Sequence, residues 1–354
     1  VNFLTNADSR IVFAFWLGVG VVVMALLMMM VILIMRRVVE NNDRNHLRAA
    51  TFWRRVLAEA MHGLPASVPR LARGDLAGFV DVWNDLHDTL RDGDNPGMSR
   101  VAAEVGLEQK LYLALDHGGF HNRVMSIIAM GYLKSQTHFD KLARCLDDRS
   151  PIVSLSAARA LMKIDPARAV EMVLPHIITR GDWSQSGVAQ ILQETDPAVV
   201  SRELGEVTLQ ANDGVASRLV RFLADVSPEE ASPVIRRIFS TAHDDHLLAT
   251  CLQVMTDRED LALVRPLLGH SRWHVRMHAA TTVGRLGEHG DDRLLLPLLA
   301  DEQWWVRYRA AQALTKLSFL APADLQRIRG AQSDRFACDI LDHVLAENAI
   351  GARA

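Results

Sequence analysis

The sequence predicts an all-α chain: a solenoid of about seven to eight stacked helix pairs preceded by one transmembrane helix. Three observations lead there. Residues 11–35 hold 23 apolar residues, two glycines and no charge. A spacing of 30 or 31 residues recurs through the C-terminal two thirds of the chain. Helix-capping residues repeat with that same period.

Composition narrows the class further. The 354 residues are 49% hydrophobic and 23% charged, which excludes a disordered or collagen-like chain. Basic residues number 39 against 42 acidic ones, for a formal charge of -3, so a strongly basic nucleic-acid binder is disfavoured. The three cysteines, Cys145, Cys251 and Cys338, lie far apart with no CxxC pair. That pattern fits a reducing compartment better than a disulfide framework. Only Lys110, Lys134, Lys141, Lys163 and Lys316 are lysines. Arginine dominance, alanine richness and the Val at position 1 read as a GC-rich bacterial gene with a GTG start taken literally.

The first element is the apolar block. As a helix, Ile11 to Met35 reaches roughly 37 Å, enough to cross a hydrocarbon core of about 30 Å. A cleaved signal peptide would show a basic start, a shorter apolar core and a small-residue cleavage site. Here Arg10 is balanced by Asp8, and the block runs straight into Met35-Arg36-Arg37. Arg36, Arg37, Arg44, Arg48, Arg54 and Arg55 all come after the block, so the positive-inside rule puts the C-terminal part in the cytoplasm of a bacterial inner-membrane protein. Residues 1–10 then form an extracytoplasmic tail, with Trp16 near the outer headgroups. Ala14 and Gly18 make one small-xxx-small pair, a weak signal for helix pairing.

Residues 36–102 lie outside the period and are expected to be a juxtamembrane helix, a linker and an N-terminal helical cap. Val38 to Met61 reads as a basic helix that Asn41-Asn42-Asp43 can interrupt. Gly63 to Gly74, with Pro65 and Pro69, reads as a linker. Leu76 to Arg91 reads as an amphipathic helix through Phe79, Val82, Trp83, Leu86 and Leu90, and Asp92 to Gly97 as a loop.

From residue 103 to 354 the period governs. Small apolar positions recur at Ile128, Ala158, Ala189, Val220, Thr250, Ala280, Ala311 and Leu341. Independently, Asp165-Pro166, Asp196-Pro197 and Ser227-Pro228 fall 31 residues apart, and Thr256-Asp257 continues them. An Asp or Ser before Pro starts a helix: the side-chain oxygen caps a free N–H, and Pro has none to satisfy. Each unit therefore holds two short helices. In one, Asp291 to Ala300 carries Leu294, Leu295, Leu298 and Leu299, and Asp301-Glu302-Gln303 turns the chain. Val306, Ala310, Ala311, Ala313, Leu314 and Leu317 then make the second apolar stripe. Pro266 and Pro297 are expected to kink the first helices.

The run from Leu298 to Leu314 (LLADEQWWVRYRAAQAL) resembles a HEAT repeat of the short, bilin-lyase-like type, as do Leu267 to Ala280 and Leu146 to Ala158. That resemblance implies a HEAT-like α-solenoid. It also implies a ladder between a turn aspartate and an arginine six residues later. Asp301 and Arg307 match it. Arg276 matches with His270 in place of the acid, and Asp148 matches with Ser154 in place of the arginine. The resemblance leaves function open, since the fold hosts adaptors, scaffolds and some enzymes.

For chemistry, the residues offer little. No His-Glu dipeptide, HExxH, phosphate-binding loop, GxSxG elbow or Cys/His signature appears. His274 and His278, with His270 a turn earlier, and His243 with His246, have metal-like spacing but lack an accompanying ligand set. A glycosylase-like cleft built on Trp183, Trp273, Trp304 and Trp305 conflicts with a membrane anchor. No cofactor, metal or small-molecule substrate is therefore assigned.

What remains is a candidate surface. Trp273 and Trp304 start consecutive second helices; His274, His278 and Arg285 share one face, and Trp305, Arg309, Gln312 and Lys316 the corresponding one. Aromatic and Arg residues are enriched in binding hot spots. The same residues also fit a plain packing role, with one Trp per pair covering the core between repeats. The expected function is a membrane-anchored scaffold holding a protein partner, such as an envelope or polysaccharide synthesis component. The alternative is an enzyme or lyase-like chaperone for a cofactor-bearing protein.

Overall fold

The computed structural model describes residues 9–63, 67–90, 95–241 and 244–351. Most of the expected tail, Pro65, Arg91, residues 92–94 of the expected loop and His243 lie outside the described residues. Every regular element among the described residues is helical, with no strand. The chain packs as two compact units, one up to Leu142 and one from Ala143 onward.

The first unit contains α1 (Ser9–Met61), α2 (Leu76–Thr89), α3 (Pro96–Glu104), α4 (Leu107–His117), α5 (Phe120–Leu133) and the start of α6 (Phe139–Arg144). Helix α1 is continuous over 53 residues, about 80 Å at 1.5 Å per residue. It is long and apolar enough to cross a membrane, and none of its most apolar stretch is buried. The interruption expected at Asn41-Asn42-Asp43 does not occur. These residues cost roughly half a kcal/mol each against Ala in a helix, too little to end a helix that packs on α2 soon afterwards.

Further along α1, Ala49, Trp53, Val56, Leu57 and Ala60 return to one face every three or four residues and are buried. They meet Phe79, Val80, Val82 and Trp83 of α2, with Trp53 edge-on to Phe79 at 4.9 Å. A Cβ at Gly78 would fall 2.9 Å from the Ala49 Cβ and the His46 carbonyl, so glycine sets how closely these helices cross. Leu86, Leu90 and Ile128, expected in the core, are only half-buried.

The second unit continues with α7 (Pro151–Ile164), α8 (Pro166–Thr179), α9 (Gln185–Gln193), α10 (Pro197–Gln210), α11 (Asp213–Val226), α12 (Pro228–Phe239), α13 (Asp245–Val254), α14 (Leu261–Val264), α15 (Trp273–Leu286), α16 (Asp292–Leu295), α17 (Trp304–Lys316), α18 (Pro322–Ala331) and α19 (Arg335–Gly351). Successive second helices α7, α9, α11, α13, α15, α17 and α19 pack side by side, and first helices α8, α10 and α12 form a parallel layer. This is an α-solenoid: no pair buries its apolar face alone, and stacking completes it.

The cap ladder explains the period. Asp165 accepts the Arg168 N–H, Asp196 the Ala198 N–H, Ser227 the Glu230 N–H and Asp257 the Glu259 N–H. Each starts a first helix one repeat after the last. Ala158, Val220, Thr250, Ala280, Ala311 and Leu341 are fully buried, whereas Ala189 on the short α9 is only partly so.

The two prolines do more than kink. At Arg265 and again at Leu296 the helix tightens into a five-residue 3-10 segment, because Pro266 and Pro297 cannot donate to the carbonyl four residues back. The tighter winding rotates the apolar face. Leu295, Leu298 and Leu299 are buried, while Leu294, expected in the core, is 41% exposed.

Candidate interaction surface

The second helices α15 and α17 are built alike from the turn upward. An Asp301 carboxylate oxygen accepts the Gln303 N–H at 2.9 Å, and Asp148 holds Ser150 the same way at 2.9 Å. His270, standing where an acid is expected, uses Nδ1 to accept the Arg272 N–H at 3.2 Å. One turn conformation is thus kept by two chemistries, each a local side-chain acceptor facing an N–H two residues on.

Arginines then tie each helix to its turn. Arg276 Nη1 donates to the carbonyls of His270 and Ser271 at 2.8 and 3.1 Å. Arg307 Nη1 donates to those of Asp301 and Glu302 at 2.7 and 3.2 Å. Arg276 also bridges repeats, with Nε and Nη2 on the two carboxylate oxygens of Asp301 at 2.7 and 2.8 Å. This two-point bond to Asp301 holds the Arg276 pKa above its ordinary value. Among the described residues Arg307 meets no acid in the next turn, and its guanidinium lies 5.0 Å from the Phe336 ring centre.

Elsewhere the ladder is carried by substitutes that the sequence pattern does not announce. Between α13 and α15 its polarity is reversed: Asp245 on the helix faces His270 Nε2 at 3.7 Å and Arg272 Nε at 3.1 Å from the turn. At Ser154 the missing arginine is replaced from the following turn. Arg180 Nη1 donates to the carbonyls of Leu146 and Asp148 at 3.0 and 2.7 Å. Trp183 fills the space left by the small serine, and its indole N–H donates to Ser154 Oγ at 2.8 Å. On the first-helix side, Arg265 grips the buried Asp291 at 2.7 and 3.1 Å.

The tryptophans on this framework separate into two kinds. Trp183 is buried, whereas Trp273, Trp304 and Trp305 are 39%, 43% and 50% exposed. Trp304 stacks on Tyr308 at 5.0 Å and Trp305 stands edge-on to Trp304 at 4.7 Å. Trp273 stands edge-on to His274. Tyr308, a residue the sequence pattern left out, donates to Glu347 at 3.0 Å and accepts from Gln312 at 2.8 Å. Its signal was available, since residues four apart on a helix are neighbours. Arg309 donates to Gln312 at 2.8 Å, and Lys316 is exposed.

Arg285, expected on the same surface, is exposed and also ties α15 to its neighbour. It donates to the carbonyls of Gln253 and Leu252 at 3.1 and 3.3 Å and to that of Met255. These are carbonyls at the C-terminal end of α13, so the guanidinium caps the neighbouring helix. His278 shares a hydrogen bond with Gln253 at 2.9 Å. Burial, then the charges of His274, Arg309 and Arg221, push the His278 pKa down. No group of three or more His, Cys, Asp or Glu among the described residues is placed to hold a metal ion. Burial lifts the Cys251 thiol to about 12, which removes it as a nucleophile at neutral pH.

The repeat geometry agrees with one sequence comparison. Residues 246–315, running from α13 through α17, match the family described as HEAT repeats. No curated protein matches the chain. Among solved structures, a homology model of the full-length AP-3 complex in an intermediate open conformation is similar over 82% of this chain at 14% identity and TM-score 0.41, and this chain spans 57% of that one. An engineered protein is similar over 84% of this chain and 94% of its own, at 14% identity and TM-score 0.30. The complex of CpcE and CpcF of phycocyanin lyase from Nostoc sp. PCC7120 is similar over 78% of this chain and 97% of its own, at 15% identity and TM-score 0.28.

Proposed function

We propose that this protein is a membrane-anchored interaction scaffold. In this reading residues 11–35 span a bacterial inner membrane and residues 1–10 face outward. Residues 36–102 form the juxtamembrane helix and cap, and residues 103–354 present a cytoplasmic solenoid to a protein partner. The observation that carries it is the exposed pair Trp304 and Trp305, stacked against the half-buried Tyr308 and mounted on a turn fixed by Asp301, Arg276 and Arg307. Large exposed aromatics on a rigid support present contact area at little entropic cost, as binding hot spots do. The span adds a second effect: confinement to a surface raises the local concentration of the solenoid near membrane partners.

Affinity capture from solubilised membranes with the full chain tests the reading. The wild type should return one recurrent, stoichiometric partner, and Trp305→Ala with Arg309→Ala should lose it. A hot-spot truncation of about 2 kcal/mol corresponds to a roughly thirtyfold weaker complex. Undiminished capture by the folded double variant overturns the assignment of this surface. Topology has its own readout: a reporter active only in the periplasm should be silent at the C terminus, and strong activity there reverses the orientation.

A further inference from the structure

Four second helices contribute one polar side chain each to a row whose first three members are joined by hydrogen bonds. Arg221 on α11 donates to Gln253 on α13 at 3.2 Å, and Gln253 shares its amide hydrogen with His278 on α15 at 2.9 Å. Arg309 on α17 is close enough to His278 for its charge to act on the ring. Arg221 and Gln253 are exposed, and His278 and Arg309 are half-buried.

The groups that bear on His278 are all basic or neutral. His274 lies on its own helix, Arg309 on α17, Arg221 on α11, and the neutral Gln253 on α13. No carboxylate is among them. Asp225, one turn beyond Arg221, joins Arg218, Arg221 and His246 around a groove of about 550 Å³ at the α11 end. The row thus gathers positive potential on a chain whose net charge is negative.

Resting on the scaffold reading above, we infer that this row is the seat of an acidic, extended protein segment, with carboxylates meeting Arg221 and Arg309 and hydrogen bonds to Gln253 and His278. Neighbouring helix axes lie about 8–10 Å apart, so the row spans roughly 25–30 Å. An extended strand at about 3.3 Å per residue covers that length with some nine residues. Spaced single cations joined by amides suit discrete carboxylates. A nucleic acid, with a phosphate every few ångströms, calls for a denser basic surface than this net-acidic chain offers.

The test uses the full chain in phosphatidylcholine nanodiscs and a nine-residue polyglutamate peptide as the probe. Binding should be measurable at low salt and weaken as salt rises. Arg221→Gln with Arg309→Gln should weaken it about tenfold or more, while Arg221→Lys with Arg309→Lys retains most of it. In the unmodified protein, the His278 ring, monitored by NMR, should titrate at higher pH with the peptide bound, because a carboxylate favours the imidazolium. Absence of peptide binding, binding unchanged in the glutamine variant, an unmoved His278 titration, or tighter binding of a nine-nucleotide single strand each overturns the inference. If the peptide fails while Trp305→Ala still abolishes partner capture, the scaffold stands and only the acidic class falls. If both fail, the scaffold reading falls too.

Discussion

Arg276 on α15 forms a two-point ion pair with Asp301 in the turn of the next repeat, at 2.7 and 2.8 Å. The two side chains are only 17% and 10% exposed, so the pair works away from full solvent screening. One guanidinium thus fastens its own turn through Nη1 and its neighbour through Nε and Nη2. Removing the acid strands a half-buried cation. Asp301→Asn should therefore cost about 2 kcal/mol in urea unfolding. Arg276→Lys should cost nearly as much although charge is kept, because an ammonium lacks the planar fork. A lysine variant as stable as the wild type would show that charge alone, without fork geometry, supports the ladder.

The α15–α17 contact depends on a missing side chain. A Cβ at Gly284 would fall 2.5 Å from the Ala313 Cα and 2.7 Å from its Cβ. The nearest atom is backbone, which cannot swing aside. Gly284→Ala should destabilise the second unit by about 2 kcal/mol, read as a lowered thermal midpoint, and Ala313→Gly should restore only part of it. An unchanged midpoint would mean that these helices slide apart freely.

His278 gives the solenoid a pH dependence with a definite sign. Its folded-state pKa lies below the ordinary 6.5 because burial and then nearby cations disfavour the imidazolium. The unfolded chain therefore takes up the proton first, and protonation favours unfolding. The stability tied to neutral His278 is intact above about 6.5 and declines as pH falls below it. Comparing melting at pH 7.5 and 5.5, His278→Gln should show the smaller loss, since it removes this group and leaves the other histidines. Equal losses in both proteins would contradict the assignment.

How much of this the sequence disclosed depends on the range of the forces involved. The caps at Asp165, Asp196, Ser227 and Asp257 were legible because each acts within three residues of itself. The stripe of Val306, Ala310, Ala311, Ala313 and Leu314 was legible for the same reason, being local periodicity. Leu294 was misplaced because a proline two residues after a four-residue helix changes the winding and so the face. The tryptophans were hardest. Trp183 is buried and Trp305 exposed according to the helix residue 29 positions earlier: the small Ser154 of α7 in one case, the long Arg276 of α15 in the other. Arg285 was similarly opaque, since its partners are main-chain carbonyls 30 to 33 residues away, which carry no sequence identity.

Whether the aromatic end of α17 meets a protein partner can be read by site-specific photo-crosslinking in native membranes. A photoreactive residue replaces Trp305 in one protein and Arg202, an exposed position on first helix α10, in another. One discrete crosslinked species is expected from position 305, absent from position 202 and lost when Arg309→Ala is added. Equal crosslinking from both positions, or none from 305 while a partner still co-purifies with the full chain, would remove the aromatic cluster as the contact surface and the scaffold reading built on it.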